Sequence, residues 1–273
     1  MKPLQLANSS NIQVGDEVVA IGNPLGLTGS MTEGIVSQTG RIKPDANTGE
    51  FWVPGLIQTD TPITYGNSGG PLLNMYGQVI GVTERGEAES ETEVQGFNFA
   101  IPSNTVQRVV PGLIVHHTYQ QPWLGIHVVD ITSDIAKDLR LNNTKGVIVV
   151  SVELCSPAER AGISAGKNAT TIDFQRFNSD ADVILEIDHK IVRDISDLIN
   201  YIDTKNPTDT VGLKLFSNDG IIHDVSVKLA PRPTVHSECT AQTVFNQNVS
   251  NISPYRNQSS QLERPTLHVS GGN

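Results

Sequence analysis

A serine held between glycines is the first place in this sequence where residue types and spacing could do chemistry. In the run Gly66-Asn67-Ser68-Gly69-Gly70 the hydroxyl of Ser68 sits among almost no side-chain bulk, as a tight turn allows. Such a turn can aim successive backbone N–H groups into one concavity. A developing oxyanion needs that arrangement, and each such donor is worth roughly 3–4 kcal/mol in acyl transfer. A glycine-rich hairpin turn in any β protein would give a similar string, so Gly-x-Ser-x-Gly alone is a weak signal. The flanks are more specific. Thr59-Asp60-Thr61-Pro62-Ile63-Thr64-Tyr65 precedes the turn, and Pro71-Leu72-Leu73-Asn74 and Gln78-Val79-Ile80-Gly81-Val82 follow it. A serine without an adjacent base is a poor nucleophile, so the chemistry also turns on histidine. The seven histidines, His116, His117, His127, His189, His223, His236 and His268, all come after Ser68.

The elements that must position this segment are short. Residues up to about 102 are rich in glycine and β-branched side chains, with candidate strands at 16–22, 33–40, 55–59, 78–83 and 96–101. Strands so spaced, with no helical pattern between them, predict a barrel or sandwich. Ser103 is expected to cap a connector helix with apolar residues at Val106, Val109, Val110 and Leu113. Pro111 should kink or shorten it, and it should end before Gln121-Pro122. From 123 to 231 the pattern becomes mixed. Strands are expected at 124–129, 147–152, 183–187, 211–216 and 223–228, and helices at 156–162 and 194–202. Residues 232–273 hold 19 Ser, Thr, Asn or Gln among 42, too little apolar surface to offset ordering entropy, and predict a disordered tail.

The run from Val18-Val19-Ala20-Ile21-Gly22 through Asn23-Pro24-Leu25-Gly26-Leu27, then Glu33-Gly34-Ile35-Val36-Ser37, the Ser68 segment, and Gly96-Phe97-Asn98-Phe99-Ala100-Ile101-Pro102-Ser103 resemble the HtrA/Deg family. Its members are chymotrypsin-fold serine proteases with one or two carboxy-terminal PDZ domains. Trp123-Leu124-Gly125-Ile126, Gly146-Val147-Ile148-Val149 and Ser156-Pro157-Ala158-Glu159-Arg160-Ala161-Gly162 resemble the family's first PDZ domain. The likeness spans roughly residues 3–231. It implies a mainly β chain: half of a trypsin-like double β-barrel, then an α+β PDZ domain and the disordered tail. The boundaries would be 1–102 for the nucleophile-bearing barrel, 103–122 for the connector, 123–231 for the PDZ domain and 232–273 for the tail.

The resemblance also implies roles. Ser68 would be the nucleophile, with the amides of Gly66, Asn67 and Ser68 lining the oxyanion hole. Ile63, five residues earlier, would line the pocket for the side chain before the scissile bond. Trp123, Leu124, Gly125 and Ile126 would form the loop that captures a peptide's terminal carboxylate, with the helix at 194–202 as the other wall of the groove. The family's catalytic His and Asp belong to an amino-terminal barrel, so the chain is expected to begin at the inter-barrel connection and to be inactive alone. A lone second barrel is further expected to show unpaired strands. Asp60 matches a family position but not the triad acid, and a structural role is expected. The partners implied are unfolded polypeptides and protein carboxy termini, with a homo-oligomer possible, a trimer in the family. No cofactor or metal is implied, and the location would be extracytoplasmic or membrane-associated. The alternative, of a different class, is a non-catalytic PDZ peptide-binding protein, a pseudoprotease.

Composition narrows the rest. Nineteen Lys and Arg against 29 Asp and Glu give a net charge of −10, and the pI is near 5.1. With no basic cluster, nucleic-acid binding is not expected. The longest apolar runs fall far short of the about 20 residues of a membrane span. The start Met1-Lys2-Pro3-Leu4-Gln5-Leu6 lacks an apolar core of signal-peptide length, so no export signal is expected. Cys155 and Cys239 cannot form a four-ligand zinc site and read as unrelated thiols. Asn-x-Ser/Thr sequons at Asn8, Asn142, Asn168, Asn248, Asn251 and Asn257 hint weakly at export. The acidic run Glu84, Glu87, Glu89, Glu91 and Glu93 reads as a solvated loop, with pocket-shaping the minority reading. Residues 167–180 read as an inserted surface loop that could block the peptide groove.

Overall fold

In the first half, apolar residues alternate along short runs, and the chain buries them by curling a sheet onto itself. The computed structural model describes residues 3–26, 29–44, 51–84, 97–172, 175–217 and 219–233. The strands are β1 (Glu17–Gly22), β2 (Ser30–Pro44), β3 (Trp52–Thr59), β4 (Pro71–Asn74), β5 (Val79–Glu84) and β6 (Asn98–Pro102). They form a closed barrel in the order β1-β2-β3-β6-β5-β4. Val18, Ala20, Val36, Ile57, Leu72, Ile80 and Ala100 fill it. The expected unpaired strands are absent among the described residues. β1 pairs with β2 on one side and β4 on the other, so this barrel closes without a second one. β2 far exceeds the expected 33–40, because β1 holds its beginning and β3 its end. Three register shifts against β3 bend it around the barrel.

Helix α1 (Ser103–His116) follows. It runs on past Pro111 rather than stopping there. Ser103 does not cap it. Pro102 holds the cap position without a side-chain bond, and the buried Ser103 hydroxyl donates to the Ala7 carbonyl at 2.7 Å, anchoring the amino-terminal segment.

The second half comprises β7 (Pro122–Trp123), β8 (Ile126–Asp130), α2 (Ser133–Asp138), β9 (Val147–Val152), α3 (Pro157–Arg160), β10 (Ala169–Ile172), β11 (Gln175–Asn178), β12 (Val183–Ile187), β13 (Lys190–Ile191), α4 (Ile195–Asp203), β14 (Thr210–Phe216), β15 (Ile222–Lys228) and β16 (Ala230–Pro231). The main sheet runs β15-β14-β12-β9-β8, with β13 beside β12. One face packs Leu124, Val147, Val149, Ile184, Leu213 and Leu215 against Leu198 of α4. The other face packs Ile148 and Val183 against Ile135 of α2 and Phe177 of β11. The segment 167–180 is thus not a plain loop. It is a β10–β11 hairpin pinned by Phe177 on the face opposite α4, and Asp180 closes its base by accepting the Lys167 and Asn168 amides at 2.8 Å.

α4 also touches the barrel. The Asn200 side chain donates to the Gly40 carbonyl at 2.8 Å and accepts the Gly55 amide at 2.7 Å, and Arg108 pairs with Asp203. Arg232, assigned from composition to the tail, is ordered: its amide donates to Gln121 at 2.8 Å and its guanidinium lies over Phe51. The rest of the expected tail, 234–273, lies outside the described residues. Cys155 is disulfide-bonded, which overturns the reading of two unrelated thiols; Cys239 lies outside the described residues.

Candidate functional site

The approach to Ser68 is a rigid shelf. At the end of β3 the Thr59 hydroxyl donates to the Ile35 carbonyl at 2.7 Å and lies 2.7 Å from the Thr61 hydroxyl. Asp60 accepts the Ile35 amide at 2.7 Å. Asn98 donates to the Thr61 carbonyl and Thr32 to that of Pro62. The carbonyls of Thr61 and Pro62 are thus each met by a side-chain donor, and Ile63 is held buried. The acidic loop at 85–96, read as solvated, lies outside the described residues. Of the acidic run only Glu84 is described, paired with Lys43 at 2.8 Å.

The Ser68 turn rests on this shelf and on the end of β1. Gly66 has φ +97°, and a β-carbon there would strike Asn23 and Pro24. Glycine is therefore needed for both conformation and space. Asn23 donates its amide to the Gly66 carbonyl at 2.9 Å, and the Asn67 amide donates to Thr64 at 3.0 Å. The Gly70 amide returns to the Asn67 carbonyl at 2.9 Å. Of the three expected oxyanion donors, the Asn67 amide is therefore turned inward to Thr64. The Gly66 amide has no acceptor among the described residues. Ser68 is exposed on this turn, while Asn67 is buried and its Oδ1 has no hydrogen-bond partner among the described residues.

A second site lies at the edge of the main sheet. Trp123 pairs with Ala230, Leu124 is buried, and Gly125 adopts φ +84° against Ser156. Two bonds shape this loop: Glu153 donates to the Gly125 carbonyl at 2.9 Å and Ala158 to that of Leu124 at 3.0 Å. Ile126 then opens β8, whose one edge pairs with β9 and whose other edge has no strand partner among the described residues. α4 stands across from it, begun by Asp194, which accepts the Asp197 amide at 2.9 Å. At the far end Asp130 accepts the Ile195 amide at 2.7 Å. Burial pushes its carboxyl above the ordinary 3.8; the Ile195 amide opposes this and the nearby Asp194 charge adds to it. On the outer face of β8, His127 lies 3.0 Å from Glu153.

Sequence reasoning missed β4, α2, the Asn200 bridge and Thr83, which touches the Ser68 turn from β5. No local pattern marks a side chain whose partners are backbone groups far away in sequence.

A trypsin-like peptidase domain matches residues 1–82 and a PDZ domain matches 122–229. A probable periplasmic serine endoprotease, DegP-like, of Bartonella henselae is 36% identical over 230 residues, covering 84% of this chain and 41% of its own length. The putative serine protease HhoB of Synechocystis is 39% identical over 171 residues, covering 60% of this chain and 40% of its own. The chain spans about two fifths of the length of these curated relatives. Among solved structures, an HtrA-type protease, AlgW, with a tripeptide superposes with a TM-score of 0.66 and 31% identity, over 86% of this chain and 71% of that one. With both domain types matched in order and that structure's sequence shared over most of its length, the chain belongs to the HtrA family of serine proteases.

Proposed function

We propose that this chain carries the nucleophile and the peptide-binding module of a serine endopeptidase acting on unfolded polypeptides. Acyl transfer would proceed through Ser68, with the amides of Gly66 and Ser68 facing the oxyanion. The observation that best supports this is the turn itself: an exposed serine on a backbone fixed at Gly66, Asn67 and Gly70 by bonds of 2.9–3.0 Å. Ile63 would wall an uncharged pocket and favour cleavage after small or medium aliphatic residues. The base must come from outside this barrel, since residues 1–102 contain no histidine. That same observation favours the second reading, a peptide-binding protein without proteolysis. Casein hydrolysis by the intact protein, with and without Ser68→Ala, decides between them. Loss of activity in the variant supports the protease; activity untouched by it overturns the assignment of Ser68.

The loop Trp123, Leu124, Gly125, Ile126 and the open edge of β8 would take a peptide as an added strand, its terminal carboxylate held by backbone amides. Calorimetry with peptides ending in Val, Leu or Phe tests this. Equal affinity for acid and amidated forms refutes it. Extracytoplasmic residence is supported by the relatives named periplasmic and by the disulfide at Cys155. No helix among the described residues is long and apolar enough to cross a membrane.

A further inference from the structure

Thr83, on β5, is buried to 2% exposure and meets the nucleophile turn from within the barrel. Its hydroxyl donates to the Asn67 carbonyl at 2.6 Å and lies 3.1 Å from that of Gly70. Its backbone takes part as well: the Gly69 amide donates to the Thr83 carbonyl at 2.8 Å, and the Thr83 amide to the Gly70 carbonyl at 2.9 Å. The Asn67 carbonyl also accepts the Gly70 amide, so both of its lone pairs are engaged.

The peptide unit that begins with this carbonyl ends with the amide of Ser68. It is planar and trans, so its N–H points opposite to its C=O. With the carbonyl drawn toward β5, the Ser68 amide is directed away from β5. We propose that Thr83 is a positioning residue for acyl transfer: by holding the Asn67 carbonyl it sets the direction of the Ser68 amide as an oxyanion donor. Thr83 touches no reacting atom. The proposal rests on the serine endopeptidase reading above.

The test is Thr83→Val, which keeps the shape and β-branching but removes the donor, compared with Thr83→Ser and Ser68→Ala in the intact protein. A small misplacement of a reacting group costs about 10²-fold, so Thr83→Val should lower kcat by roughly that factor with KM nearly unchanged. Thr83→Ser should restore most of it. Amide hydrogen exchange over 64–70 should quicken in Thr83→Val while the barrel strands stay protected, which separates a loosened turn from a failure to fold. Wild-type kcat in Thr83→Val, or a loss that Thr83→Ser does not rescue, overturns the proposal. Unchanged exchange over 64–70 also overturns it. If Ser68→Ala remains fully active, the endopeptidase reading fails instead. If Ser68→Ala is inactive and Thr83→Val is not, only the role of Thr83 fails.

Discussion

Gly125→Ala is the sharpest perturbation available in the peptide-binding edge. At φ +84° a side chain costs about 1–2 kcal/mol in backbone conformation alone. The added β-carbon would also collide with Ser156 and come within 3.1 Å of the Trp123 ring. Ser156 cannot move freely, because its hydroxyl caps α3 by accepting the Glu159 amide at 3.0 Å. Displacing that cap costs about 1 kcal/mol more. Together the loss is about 2–3 kcal/mol, a fall in Tm of about 4–12 °C for a body of this size. The same shift moves the Leu124 and Gly125 peptides, so affinity for a peptide acid should drop at least about tenfold, the equivalent of 1.4 kcal/mol. Scanning calorimetry reads the first and titration calorimetry the second. A control isolates the collision: Ser156→Gly removes the opposing β-carbon, and glycine at a cap costs only a few tenths of a kcal/mol. It should therefore slightly destabilise the wild type yet stabilise Gly125→Ala. If Gly125→Ala melts and binds as the wild type does, or if Ser156→Gly lowers both backgrounds equally, the reasoning about this loop is refuted.

Three further expectations follow from named contacts. Under the proposed endopeptidase reading, a cleavage-site profile of the intact protein should show small or medium aliphatic residues before the scissile bond, because Ile63 offers no charge; cuts dominated by Lys or Arg contradict this. Burial alone would raise the Asp188 carboxyl, but Lys205, the Gly212 amide and Tyr201 donate to it and hold it below its ordinary 3.8. A carboxyl lowered in the folded state stabilises above the unfolded value and loses that contribution as pH falls through the folded one. Tm should thus decline below about pH 4, and Asp188→Asn should flatten that decline; an identical acid limb in the variant argues against it. Asn200→Ala removes two bonds to β2 and β3, worth together about 1–3 kcal/mol. It should quicken exchange of the Gly55 amide, which donates to Asn200, and an unaltered exchange map would show that the bridge contributes nothing.

The sequence by itself determined the family and the order of the two domain types, and it singled out the turn proposed to carry the nucleophile. Those signals are local: glycine is needed wherever backbone meets backbone, as at Gly66 against Asn23, and apolar alternation marks a strand wherever it runs. The Asp194 cap was legible because a cap acts over three residues. The tertiary structure alone decided the rest. Barrel closure depends on β1 finding β4, some fifty residues away, and the length of β2 on two different partners at its two ends. The pair β10–β11 looked like a loop because its buried anchor, Phe177, has meaning only against α2 and the sheet face beside it. The direction in which the Asn67 amide and carbonyl turn was equally invisible. Asn23, just after β1, and Thr83, on β5, hold this turn, and they meet it only because the closed barrel brings β1 and β5 beneath it.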